Sequence, residues 1–263
     1  MTELYASTPM AIRDDLAAAH ARAWAHVARP GSWWDGTTRV AIAGETRNAS
    51  SCSLCRRRKE ALSPFAIEGT HDSLGQLSEI VVEVVHRVRT DPGRLSERWY
   101  RGIVASGLSE EQYVEVVSVV AHVVAIDTMA RGLGFDPLLL TRPQPGLPSR
   151  RRPAGAKPGG AWVPWLEPAD AGDAMAGIYP ADRPAANIRK AMSLVPEEVR
   201  SFFDPGGSPI SARHGDARFL ARVPGDQPRP DRAIGGAGIP SQSVFLLNCQ
   251  SCSAAPCERP GPK

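Results

Sequence analysis

The chain has 263 residues, with 31 Lys and Arg against 28 Asp and Glu, a net charge of +3. This balance argues against a nucleic-acid partner, which wants a basic face with interleaved aromatics, and the longest apolar stretch, Val116 to Ile126, falls short of the ~20 residues that span a bilayer. Met1 to Arg13 lacks an apolar core flanked by cations, so a soluble, cytoplasmic protein without a membrane partner is expected, where paired cysteines serve redox or metal chemistry.

In chain order, Ser7 or Thr8 can cap a first helix with Pro9 at its first position, running to about Ala28 and stopped by Pro30-Gly31. Gly36 to Asn48 reads as a second helix, after which Ser50 and Ser51 offer caps for a third that reaches about Leu62. Leu77 to Thr90 sets Ile80, Val81, Val84, Val85 and Val88 at helical spacing. Ser96 caps a short helix carrying Trp99 and Ile103 that ends at Gly107. Ser109-Glu110-Glu111-Gln112 is a capping box opening a long helix to Arg131, with Gly132 and Gly134 as stops. The expected fold class is all-α over residues 1–140.

Residues 141–184 are rich in Pro, Gly and Arg and read as a linker. Residues 185–203 look helical again, the start of a second domain. Residues 204–263 show no apolar periodicity and read as a low-order tail. Codons permitted for Ser241–Asn248, read one base later, spell an approach to another Cys-x-x-Cys, so this tail is expected to be a frame-shifted or truncated domain.

The most informative feature is Cys52-Ser53-Leu54-Cys55, followed at once by Arg56, Arg57, Arg58 and Lys59. On the first turn of a helix, free N–H groups, the dipole and neighbouring cations all favour thiolate over thiol. The pair therefore reads as a redox-active dithiol. The alternatives are two buried small residues, or half of a zinc centre completed by Cys249 and Cys252.

The Cys-x-x-Cys at a helix start, Gly107-Leu108-Ser109-Glu110-Glu111-Gln112 and Ile126 to Gly134 together resemble the alkylhydroperoxidase D/carboxymuconolactone decarboxylase superfamily over residues ~9 to 140, and Ala186 to Val199 resembles its opening helices. The resemblance implies an AhpD-like bundle that reduces hydroperoxides without metal or organic cofactor. Cys55 attacks the peroxide, Cys52 resolves it, an external dithiol reductant regenerates the pair, and copies associate through helix 109–131. The family's relay departs here, since Lys59 stands where a histidine is usual and Val40 where an acid is usual. Glu45, His86 and His122 are the candidate substitutes, against ordinary readings as a salt-bridged helix residue and core histidines. A decarboxylase-type enzyme using His122 for proton transfer, or a non-catalytic oligomerising domain, are the alternative functions.

Overall fold

The computed structural model describes Tyr5, residues 12–177, Tyr179 and residues 184–203. The expected cap at Ser7 or Thr8, the tail and Cys249, Cys252 and Cys257 lie outside the described residues. Within them the chain forms α1 (Asp14–Ala28), α2 (Gly36–Asn48), α3 (Ser53–Glu60), α4 (Glu79–Thr90), α5 (Glu97–Ala105), α6 (Glu110–Gly132), α7 (Asn187–Met192) and α8 (Pro196–Phe203). Described β-structure amounts to a single bridge between Lys157 and Trp165. The fold is all-α, as the periodicity expected.

α6 is the axis of the packing, touching α1, α2, α4 and α8. Its start is fixed by the expected capping box: Ser109 Oγ accepts from the Gln112 N–H, and the Gln112 side chain accepts from the Ser109 N–H. By length and a mean hydropathy of 1.6 it could cross a membrane, which the sequence reading had not anticipated, but 83% of that apolar window is buried inside the fold. A helix apolar all round is stable in water only when neighbours cover every face. α6 therefore leaves little surface for the association expected of it.

α4 buries Val81, Val84, Val85 and Val88 against this axis, as its spacing predicted. Ser96 caps α5 through the Trp99 N–H, and Gly107 leaves that helix at φ +102°, a conformation that favours glycine. The first helix begins later than expected, at Asp14, with Ile12 and Arg13 not helical.

The larger correction concerns residues 141–203. Far from linking separate domains, they close the same core: Ala161, Val163, Trp165, Leu166, Met175, Val195, Val199 and Phe202 belong to one buried cluster with Trp24, Ile42, Val84 and Val116. The Pro-rich stretch is tied down by its backbone, with Gln144 N–H donating to Ala28 O at 2.8 Å and Arg150 N–H to Ser32 O at 2.8 Å. Composition misled here because proline and glycine remove helical periodicity without preventing burial of the tryptophans and valines between them.

Charge seals the junction. The Arg39 guanidinium, wholly buried on α2, donates to Glu115 of α6 and, at 2.7 Å, to Glu198 of α8. His26 of α1 reaches the same Glu198 oxygen at 2.9 Å, and the Trp33 N–H donates to Glu115 at 2.7 Å. A buried cation shared by two carboxylates is tolerable only with such a set of partners.

Candidate dithiol site

α2 ends at Asn48, a 3₁₀ turn covers Ala49–Ser51, and α3 opens at Ser53. Ser50 and Ser51 are not its caps. The Ser51 hydroxyl donates back to Asn48 O, and Cys52 itself occupies the N-cap position. The cap comes from a distant loop: Asp72 accepts the Ser53 N–H at 2.7 Å, and the Asp72 N–H points at Cys52 Sγ at 3.4 Å. Asn48 Nδ2 in turn donates to Asp72 O at 2.6 Å. The loop carrying His71 and Asp72 is thereby fastened to the first turn of α3.

Cys52 and Cys55 are free thiols, 2% and 4% exposed, packed with Leu54 and Ile67. Two histidines converge on them. His71 Nδ1 lies 3.5 Å from both sulfurs, and His86 Nδ1 lies 3.3 Å from Cys55 Sγ. Each ring is held from behind by a carboxylate: His71 Nε2 at 2.8 Å from Glu83, and His86 Nε2 at 2.8 Å from Glu45. Both carboxylates are themselves fixed. Glu83 accepts from Arg58 at 2.9 Å and Trp99 Nε1 at 3.0 Å, and Glu45 from Asn48 Nδ2 at 2.9 Å and the Leu74 N–H at 3.0 Å. The carboxylates accept the Nε2–H protons, so the Nδ1 atoms face sulfur.

The electrostatics follow from this arrangement. Burial disfavours charge on His71, but its bonds to Cys55, Glu83 and Cys52 outweigh that and raise it to about 10. Burial likewise opposes the Cys52 thiolate, yet the Cys55 N–H, His71 and the Asp72 N–H hold this thiol below its ordinary value. His86 is pushed down, chiefly by burial. Glu83, despite burial, is drawn down to about 2 by His71, Arg58 and Trp99.

Of the residues expected from sequence, Cys52, Cys55, Glu45 and His86 come together. Glu45 is not on a helix continuous with the dithiol, since the 3₁₀ turn intervenes; it reaches the sulfurs through His86. Lys59 is exposed and takes no part in the cluster. His122 lies elsewhere, buried in α6, with Nδ1 2.7 Å from Ser118 O and Nε2 2.9 Å from Ser201 Oγ. Both its ring nitrogens are engaged and burial lowers it to about 4, which is a satisfied core histidine. His71 and Glu83 were not foreseen, and Arg58, expected as one of the cations beside the dithiol, instead donates to Glu83.

A cavity of about 390 Å³ opens beside Cys52 and Cys55, lined by Arg56, Lys59, Arg89 and Arg131 against one acid, Glu60. It gives the buried sulfurs a route to solvent with a positive rim. No protein-family model, curated protein or solved structure matches the chain.

Proposed function

We propose that the chain is a thiol-dependent oxidoreductase that reduces hydroperoxides through a Cys52–Cys55 dithiol/disulfide cycle. The observation that carries this reading is the chain of contacts from Cys55 Sγ through His86 to Glu45, which supplies from α2 and α4 the proton relay that the alkylhydroperoxidase D pattern places elsewhere. His86 Nδ1 takes the Cys55 proton, and Glu45 fixes the ring and stabilises its charge. The Cys55 thiolate attacks one peroxide oxygen and the O–O bond breaks. The leaving alkoxide receives the proton from His86 and departs as an alcohol, leaving Cys55 as a sulfenic acid. Cys52 then attacks Cys55 sulfur, forming the disulfide and releasing water, so two thiols and one hydroperoxide become a disulfide, an alcohol and water. An external dithiol returns the pair to its starting state.

The cationic rim of the cavity favours a hydroperoxide bearing a negative charge, such as a carboxylate, at its far end. Assembly into a homo-oligomer belongs to the same proposal and would use a face other than α6. The test is peroxide consumption by the reduced protein followed by rapid mixing, with intact mass before and after. One equivalent of peroxide should remove two hydrogens from the chain, and Cys52→Ser should accumulate a Cys55 sulfenic acid trapped by a cyclic diketone. Cys55→Ser protein that consumes peroxide as fast as the parent overturns the proposal.

A further inference from the structure

The geometry points to a second use of the same pocket: Cys52, Cys55, His71 and His86 form a closed four-ligand site for a zinc-class divalent cation that holds the reduced dithiol. The four donor atoms, two Sγ and two Nδ1, all lie within 4.8 Å of one another. Zinc bonds of about 2.3 Å to sulfur and 2.0–2.1 Å to nitrogen, at tetrahedral angles, place sulfur and nitrogen about 3.6 Å apart. Three of the four sulfur–nitrogen separations here are 3.5, 3.5 and 3.3 Å. These separations already match those around a tetrahedral zinc ion, and the remaining donor pairs lie within 4.8 Å.

The shell behind the donors supports the same conclusion. A metal-bound histidine typically gives its other N–H to a carboxylate, which fixes the tautomer and strengthens the ligand. Here both histidines do so, at 2.8 Å to Glu83 and 2.8 Å to Glu45. The relay to Cys55 uses only His86 and Glu45, whereas the second His–carboxylate pair sets His71 Nδ1 equidistant from both sulfurs, the position of a shared ligand rather than of a base for one thiol. Two thiolates with two imidazoles select zinc or cobalt over magnesium or calcium, which require oxygen. The set draws on α3, the loop holding His71 and α4, so bound metal ties three separate segments together. The cavity beside the cysteines provides the entry path.

Metal and disulfide exclude each other at this site. Oxidation of the two thiolates to the Cys52–Cys55 disulfide removes two electrons and two of the four donors, and the cation leaves with its charge unchanged. An aromatic disulfide reagent accepts those electrons, becoming two aryl thiolates, so this step is testable apart from peroxide chemistry.

The experiment uses the full reduced chain, stripped with a chelator and titrated with Zn²⁺ or Co²⁺ alone. We expect one metal per chain, and with Co²⁺ the visible bands of a tetrahedral ion together with thiolate charge transfer. His71→Gln should weaken binding and alter the Co²⁺ spectrum, and Glu83→Gln should weaken it about 10- to 100-fold while leaving the spectrum tetrahedral. The aromatic disulfide should release the metal in step with thiol loss. Binding that survives His71→Gln unchanged, an octahedral Co²⁺ spectrum, or folded reduced protein that takes up no metal would each overturn the assignment. Peroxide inertness of the metal-free protein would instead count against the proposed peroxidase and leave the metal titration to stand or fall by itself.

Discussion

Arg39 and Glu198 stand 159 residues apart in sequence and meet at 2.7 Å with neither side chain exposed. This contact binds α8 to α2 at the point where the polar network is most enclosed. Glu198→Gln should destabilise the fold by about 3–5 kcal/mol, the cost typical of leaving one partner of a buried ion pair short of its charge. Chemical denaturation followed by tryptophan fluorescence measures it. A chain ended at Arg142 loses Trp165, Val199 and Phe202 from the core as well as Glu198 and should not unfold cooperatively.

His122 gives stability a defined pH dependence. Its folded-state value is lowered to about 4, mainly by burial, while the unfolded chain titrates near 6.5. The unfolded state therefore binds more protons between these values. Stability is fully present above pH ~6.5 and falls by about 3 kcal/mol as pH drops to ~4. Glu198 opposes this shift, and His26 and Arg39 reinforce it. Across that window the slope of stability against pH should be about one proton steeper in the parent than in His122→Gln, as denaturation midpoints would show.

How far the sequence disclosed this protein depended on whether the signal was local. The α6 capping box, the Ser96 cap and the apolar stripe of α4 were legible because each depends on residues within two turns. Cys52 and Cys55 were legible through their spacing; Glu45, seven residues before Cys52, and His86 were legible only as substitutes for the relay that the family resemblance implies, alongside His122, which lies elsewhere. His71 was not legible because it sits in a polar loop with no periodicity, far from the position four residues after the second cysteine where the family pattern places a histidine. The usable signal was the company it keeps: a Thr-His-Asp sequence after Gly69, followed by Glu83 and His86 one helical turn apart. Residues 185–203 were legible as helical, but the docking of residues 161–203 on the first helices was not, because it depends on partners from about sixty to more than a hundred and fifty positions away.

The relay predicts a kinetic signature. Glu45→Gln retains the side-chain volume but removes the charge that steadies a protonated His86. The second-order rate of peroxide reduction should fall about 10²-fold, the lower end of what a positioned general base supplies. Rapid-mixing kinetics at fixed pH would show it, with circular dichroism confirming an unchanged helix content.

The cationic cavity predicts discrimination between substrates. Arg89→Gln should raise KM for a carboxylate-bearing hydroperoxide about tenfold, or ~1.4 kcal/mol, while leaving a neutral hydroperoxide of similar size nearly unaffected. Parallel steady-state assays with the two substrates would decide it; equal effects on both would point to a structural role for Arg89 instead.

Gly31 is fixed by crowding. A Cβ there would collide with the Glu115 carboxylate and the Arg39 guanidinium. Gly31→Ala should lower the melting temperature, and calorimetry should also show the loss removed in part when Glu115 is shortened to Asp.

The coverage of α6 has a consequence for how the protein is made. Its long apolar helix emerges from the ribosome well before Trp165, Val199 and Phe202, the residues that enclose it. For that interval a nascent chain displays a segment with the length and hydropathy of a membrane anchor. Closure of the core over α6 thus waits until residues 161–203 have been synthesised, and until then the apolar helix lacks part of the cover that guards it against aggregation.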